Sequence, residues 1–236
     1  MSNRKILVLG GTGPAGICLL RELVHRKHYA IMFARTPSKL PQDLAANTYL
    51  EVIKSEMNDR KALSSAVAKS SMVISLLGPS LLDGSISHSM YADIYVSLFP
   101  AMREHRVRRI LAMGTISAKK LEDKWNIMQA VTPFLMPLFA NAAYQNALGI
   151  SRAFENGAEG LDWTVFRLAQ ITGDSDEASW RKGRGDGKVF TGWVGQRGWT
   201  SAIHRALLAR WLVDAVEGGA DDWIGKMPGI SKLSGS

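Results

Sequence analysis

Cysteine is almost missing from this chain: Cys18 is the only one in 236 residues. An internal disulfide is thereby excluded, and a reducing compartment suits the chain. Cys18 falls within the first predicted helix, where a buried, inert thiol is expected. Long hydrophobic runs are missing as well. The longest apolar stretch, AVTPFLMPLFANAA at residues 130–143, is interrupted by Pro133 and Pro137. No window reaches the ~18 consecutive apolar residues that a membrane span needs. The opening MSNRKILVLGG reaches its glycines too early for a secretory hydrophobic region and has no small-residue cleavage site. A cytoplasmic location and no membrane partner are therefore expected. Linkers, repeats and low-complexity segments are also lacking, which points to one domain. None of His25, His28, His88, His105 and His204 has a partner at metal-ligand spacing, so no metal is expected.

Charge is present in excess of one sign. Lys and Arg number 29 against 21 Asp and Glu, a formal net charge of +8. The basic residues are scattered except in MREHRVRRI, where Arg103, Arg106, Arg108 and Arg109 lie at a predicted helix end and favour its dipole. Aromatic residues do not interleave with them as a nucleic-acid stacking groove requires. Nucleic acid is not an expected partner, and a phosphate-rich small ligand accounts for part of the excess more simply.

Apolar runs of four to six residues alternate with amphipathic segments. Strands are predicted at KILVL (5–9), AIMFA (30–34), YLEVI (49–53), MVISLL (72–77), RILAM (109–113) and WTVFRL (163–168). Helices are predicted from Pro14 to about Lys27 and at about 60–69, 86–105 and 142–157. Strands this apolar, separated by helices, indicate a parallel sheet covered on both faces. The fold class is α/β, a doubly wound parallel sheet of the Rossmann type. After the sixth strand the pattern changes. AQITGDSDEASWRKGRGDGK reads as a loop or lid, KVFTG as a short strand, and AIHRALLARWLVDAVEGG as an amphipathic helix ended by Gly218 and Gly219. The tail DDWIGKMPGISKLSGS has little periodicity. Residues 1–168 thus form a cofactor-binding core, and 169–236 a smaller substrate-side lid, helix and tail.

The strongest motif is GGTGPAG, Gly10 to Gly16, between the first strand and the first helix. Gly10 allows the tight turn, Gly13 lets backbone approach a pyrophosphate, and Gly16 allows close helix–sheet packing. Gly11 completes the turn, and Pro14 gives up an N–H at the first helical turn that is unpaired anyway. The N–H groups near Thr12 to Ala15 then face phosphates at the positive helix end. After strand two a binder of the non-phosphorylated dinucleotide usually carries an acidic residue. Here FARTPSKL places Arg35 and Lys39 instead. Arginine can stack on adenine and make paired bonds to a 2′-phosphate, so NADP(H) is the expected cofactor. Glu56 and Met57 follow strand three, at the adenine edge, and Asp59 suits the N-cap of the next helix. Leu77 and Gly78 sit where the chain crosses the cofactor ribose. Thr115 and Ser117 lie beside the expected nicotinamide. Trp180, Trp193 and Trp199, with the segment from Val131 to Ala143, could line a pocket for a flat hydrophobic substrate.

Together GGTGPAG, ARTPSKL, SEMNDRKALSSAV, VISLLG, RILAMGTIS and AFENGAEGLDWTVFRLAQITGD resemble the atypical short-chain dehydrogenase/reductase superfamily. The branch that the chain resembles holds NmrA-like and biliverdin-reductase-B-like (flavin reductase) proteins, over residues 4 to 174. The resemblance implies that Gln170 and Ile171 approach the nicotinamide. It also marks a departure. Ordinary members pair a proton-donating tyrosine with a lysine that lowers its pKa and holds the ribose. Tyr144 is present, but aligned from Tyr144 the lysine slot holds Leu148, and aligned from Glu155 it falls near Ser151. Without a cation beside it, a tyrosine is a poor acid.

Hydride transfer does not require that pair, because a nicotinamide carries the chemistry and the protein positions it and excludes water. The expected function is NADPH-dependent reduction of a small hydrophobic, aromatic or quinone-like acceptor. Thr115 and Ser117 would orient that acceptor, with Tyr144 as a helper. Two other readings stay open: a non-catalytic NmrA-like redox sensor acting on a protein partner, and an isomerase or cyclase that retains NADP(H). Monomer and dimer are both compatible with the sequence.

Overall fold

In the computed structural model, residues 5–78 and 87–236 are described. The first half runs β1 (Lys5–Leu9), α1 (Pro14–His25), β2 (Ala30–Ala34), a short turn at Pro37–Lys39, α2 (Gln42–Ala45), β3 (Leu50–Lys54), α3 (Arg60–Ala68) and β4 (Ser70–Ser75). Next come α4 (Met90–Glu104), β5 (Arg109–Thr115), α5 (Ile127–Phe139), α6 (Asn141–Gly157) and β6 (Asp162–Leu168). The chain ends with β7 (Gln170–Thr172), α7 (Glu177–Gly183), β8 (Val189–Gly192), β9 (Ala202–His204), α8 (Arg205–Val216) and β10 (Gly229–Lys232). The helical pattern expected from residue 86 begins outside the described residues; within them the helix starts at Met90.

The main sheet has the order β3-β2-β1-β4-β5-β6-β10-β8, and β7 pairs with β9 in a second, two-stranded sheet. All neighbours in the main sheet are parallel except β10 and β8. From β1 the chain first winds outward to β3, then returns to the other side of β1 at β4. That reversal is the topological switch point, outside whose strand ends ligands bind in such sheets. Alternation within the strands builds two cores. Ile6, Val8, Met32 and Ile74 face α1 and α8, while Leu7, Leu9, Ile31 and Val73 face the helices α3, α4 and α6.

Several segments differ from the sequence expectation. Ala202–His204, read as the start of a helix, and Gln170–Thr172, read as loop, are the paired strands β9 and β7, and α8 begins only at Arg205. The apolar stretch holding Pro133 and Pro137 is helical, as α5. Asn126 starts it by accepting from the Gln129 N–H at 3.0 Å, and the helix runs on without the two ladder bonds that the prolines cannot donate. The polar loop after β7 contains α7, capped by Asp176. Trp180 of α7 packs edge-on to His25 of α1, with 5.5 Å between ring centroids, and is buried there. The aperiodic tail supplies β10, inserted between β6 and β8. Its entry is held by the Arg167 N–H donating to Pro228 O at 2.7 Å. The arginine cluster also serves other elements than its own helix. Arg103 donates to Gly157 O at 2.6 Å, closing the end of α6, and Arg109 donates to Thr164 Oγ1 at 2.8 Å.

Two enclosed carboxylates tie these parts together. Glu22 of α1 accepts from Arg26 at 2.9 Å and from Arg184 at 2.8 and 2.9 Å, which fixes α7 on α1. Asp123 accepts from both terminal nitrogens of Arg167 at 2.6 and 2.7 Å, and neither side chain of this pair is exposed to solvent. Burial alone would raise both carboxyls. For Asp123 the bonds from Arg167, Gln129 and the Lys120 N–H outweigh it and hold the group below the usual range. For Glu22, Arg184 and Arg26 do the same. Folded pKa values below the unfolded ones mean that each contribution is complete above the unfolded carboxylate pKa, about 4. It is lost as pH falls through the folded values. Asp123→Asn should therefore cost about 3–5 kcal/mol at neutral pH. Wild-type melting temperature should fall in acid below about pH 4, more steeply than that of an Asp123→Asn/Glu22→Gln variant. Parallel acid profiles for the two proteins would contradict this account.

Candidate functional site

The glycine loop follows β1 at the switch point. Gly10 has φ 78°, which glycine adopts without strain. A Cβ on Gly16 would collide with the Gly10 carbonyl oxygen and lie 2.6 Å from Gly11 Cα. Packing within the chain therefore demands glycine at Gly16. Gly13 is different: it is extended, with φ −77° and ψ 161°, and a Cβ there would meet only Gly10 O at an ordinary 3.5 Å. Space stands open in front of it. No side chain caps the start of α1, and its first turn carries no acid. The Gly13 N–H is used within the turn, donating to Gly10 O at 3.2 Å, and Pro14 has none, so the Thr12 and Ala15 N–H groups are those left to meet an anion at the positive end of the helix.

Arg35 lies two residues beyond Phe33, whose register partner is Leu9, so it stands at the same sheet edge as the glycine loop. Both Arg35 and Lys39 are exposed, and neither side chain has a partner among the described residues. Glu56 is exposed, and Met57 packs partly against the core on the far side of β3. Asp59 caps α3 by accepting from the Ala62 N–H at 3.0 Å. Leu77 and Gly78 follow β4 beside the loop: a Cβ on Gly10 would lie 2.9 Å from the Leu76 carbonyl.

A cavity of about 320 Å³ opens beyond these strand ends. Gly78, Thr115, Ser117 and Ile171 line it, together with Met113 at the end of β5. Met128, Thr132 and Met136 reach it from α5, and Ala143, Ala147 and Ile150 from α6. The wall is largely methyl and thioether. Thr115 Oγ1 accepts from the Ser117 N–H at 3.2 Å, and the Ser117 hydroxyl has no partner among the described residues. Gln170 is exposed at the rim, next to Ile171.

Tyr144 does not line this cavity; it is half-buried one residue after Ala143, about 100° around α6. Leu148 is half-buried and Ser151 is buried, its hydroxyl on Ala147 O. Lys120, in the segment after β5, is paired with Glu155 of α6. The expected tryptophan lining is not formed. Trp180 belongs to the core against α1, and Trp193 packs on Trp223 with 5.4 Å between ring centroids. Met128, Thr132 and Met136 take that place. Among the described residues no group of three His, Cys, Asp or Glu could hold a metal ion.

Sequence reasoning missed what shapes the cavity floor. Arg167, wholly buried in β6, donates to Ala118 O at 2.9 Å and to Met227 O at 2.6 Å as well as to Asp123. Gln129 of α5 donates to Ile116 O at 3.0 Å and to Asp123 at 2.9 Å. These bonds hold the backbone on both sides of Ser117. The signal was available: an arginine inside the apolar strand WTVFRL must be paired.

A family model described as NAD(P)H-binding matches residues 10–218. No curated protein matches the chain. Among solved structures it is similar to a wide-type short-chain dehydrogenase/reductase from Veillonella parvula in complex with NADP, with a TM-score of 0.75 at 14% identity, covering 98% of this chain and 95% of that one. It is also similar to an exported protein from Burkholderia pseudomallei, with a TM-score of 0.67 at 21% identity, covering 97% and 99%. A third is an anaerobillin reductase from Escherichia coli, with a TM-score of 0.68 at 12% identity, covering 98% of each chain. At these identities the likeness is one of fold.

The two glycines should separate folding from binding. Gly16→Ala should destabilise the fold by about 1–3 kcal/mol, because backbone must move. Gly13→Ala should cost at most about 1 kcal/mol as a poorer cap, yet weaken NADPH at least about ten-fold. Thermal melts and calorimetric titration of both variants check this. Unchanged NADPH affinity in Gly13→Ala would contradict the anion site.

Proposed function

The chain belongs to the NAD(P)H-binding family, and on that premise we propose that it is an NADPH-dependent reductase of a small, flat, hydrophobic acceptor. One observation carries the reading: the apolar cavity of about 320 Å³ abuts Gly78, Thr115, Ser117 and Ile171 at the carboxyl ends of the strands. A volume of that size suits one aromatic or quinone-like ring system. The backbone from Gly10 to Gly16 holds the pyrophosphate. Arg35 and Lys39, both exposed and without partners among the described residues, take the 2′-phosphate, and Glu56 and Met57 border the adenine. Leu77 and Gly78 run along the ribose. Gln170, Ile171 and Thr115 hold the nicotinamide ring against the cavity.

When bound, NADPH supplies the hydride. The chain's own residues position the acceptor, exclude water from an apolar wall, and deliver a proton. Close positioning alone is worth on the order of 7–11 kcal/mol of the barrier. Ser117, with a hydroxyl free of protein partners, relays the proton from solvent. Tyr144 is a helper at most, since it lies outside the cavity lining. The empty lysine slot at Leu148 and Ser151 favours one further reading, a redox sensor that binds the cofactor without turning it over. Oxidation of NADPH by purified protein offered quinones or flavins separates the two.

Cofactor choice provides the first check. Arg35→Ala and Lys39→Ala should each weaken NADPH by roughly ten- to a hundred-fold while leaving NADH nearly unchanged. Equal calorimetric affinity of wild type for NADPH and NADH would overturn the assignment.

Proton delivery provides the second. Tyr144→Phe should keep kcat/KM within about ten-fold, whereas removal of a true general acid costs typically 10²–10⁴-fold. Ser117→Ala should cost more on a carbonyl acceptor than on a quinone, which water can protonate afterwards. A loss of about a thousand-fold in Tyr144→Phe, at unchanged NADPH affinity, would show that another cation replaces the missing lysine.

A further inference from the structure

Helix α5 is apolar on almost every face, yet among its 13 residues only Gln129 is buried. Met128, Thr132 and Met136 turn toward the cavity. The opposite side stands in solvent, with Ile127 62%, Phe134 74% and Leu138 76% exposed. Trp125, just ahead of the helix, is 78% exposed. A contiguous apolar face of this kind marks an interaction site. No charged residue occurs between Lys124 and Arg152. At the borders of that stretch Lys119, Lys124 and Arg152 are exposed cations, and Glu122 is the exposed acid among them. The neighbouring Asp123 and Glu155 are neutralised by Arg167 and Lys120.

We propose that α5 seats the protein on an anionic lipid surface, lying in the plane of the headgroups with Ile127, Phe134 and Leu138 dipped into the acyl boundary. The expectation of no membrane partner rested on the absence of a span, and an interfacial helix needs none. Charge decides between lipid and a second copy of the chain. A net charge of +8 makes two copies repel, whereas an anionic leaflet attracts, about five-fold in affinity for each basic residue near the surface. Trp125 suits the interface, where an indole keeps its ring in the apolar layer and its N–H in water. The same helix walls the cavity, so a hydrophobic acceptor dissolved in the lipid would enter from the membrane side. That last step rests on the reductase reading; the docking does not.

The test is flotation of the full chain with vesicles of phosphatidylcholine alone and of phosphatidylcholine mixed with phosphatidylglycerol, without any turnover. Wild type should float with the mixed vesicles, less so at high salt, and weakly with phosphatidylcholine alone. Ile127→Gln/Phe134→Gln/Leu138→Gln, all at exposed positions, should melt like wild type and lose about a hundred-fold in partitioning. Lys119→Gln/Lys124→Gln should lose about ten-fold or more on anionic vesicles only. If the triple variant does not fold, quenching of wild-type tryptophan fluorescence by brominated lipid, reduced in Trp125→Phe, reads the same contact. Failure of wild type to float with either vesicle would overturn the proposal. So would a wild-type dimer in light scattering that the triple substitution turns into a monomer, which would assign the face to a second copy.

Discussion

The buried pair of Arg167 and Asp123 is the interaction from which the site's shape follows. Arg167 sits near the carboxyl end of β6 with no solvent access, so its donors must find acceptors within the protein. Four of its bonds reach three separate pieces of chain: Asp123, the carbonyl of Ala118, and the carbonyl of Met227 ahead of β10. Asp123 in turn accepts from Gln129 in the first turn of α5 and from the Val194 N–H at 3.1 Å. One charge pair thereby joins a central strand, the segment after β5, the helix that walls the cavity and the loop after β8. A pair this enclosed repays its desolvation through the further hydrogen bonds that each partner makes. What it specifies is an arrangement: Ser117 is held between two anchored carbonyls, at Ile116 and Ala118.

The cofactor side depends on a different economy. Gly16 is required by contacts that the chain makes with itself, while nothing in the chain crowds Gly13. A loop built only for compactness would need the first glycine and not the second. The open space at Gly13, the helix start and the cations Arg35 and Lys39, without partners among the described residues, are features that favour phosphate. Membership of the NAD(P)H-binding family gives those features their ligand.

Much of the fold was legible because the signals are local. KILVL followed by GGTGPAG, or AIMFA followed by ARTPSKL, declares a buried parallel strand and its turn within a dozen residues. The order of β1 to β6 and the helices between them follow from such runs. Gly78, Thr115 and Ser117 at strand ends could be aimed at one place for the same reason, Ile171 was implied by the family resemblance, and all four line one cavity. What stayed hidden depends on long-range contact. Helix α5 carries prolines that argue against a helix, and its start rests on Asn126 and on Gln129 reaching back to Ile116. Strand β10 is four residues long and exists because β6 and β8 offer it edges on both sides. The tryptophans were assigned to the pocket by their chemistry alone, but Trp180 serves α1, and Met128, Thr132 and Met136, spaced by four, took the lining.

The central claim is that the cofactor's nicotinamide faces the apolar cavity and gives up its hydride there. It is tested most directly by a single-turnover experiment on protein pre-loaded with NADPH and mixed rapidly with an excess of a small quinone. The account predicts that the bound NADPH absorbance decays with the quinone, and that deuterium on one face of nicotinamide C4 slows the decay while deuterium on the other does not. NADPH that stays bound and unoxidised after prolonged incubation with quinones and flavins would contradict it, and would leave a protein that holds the cofactor without using it.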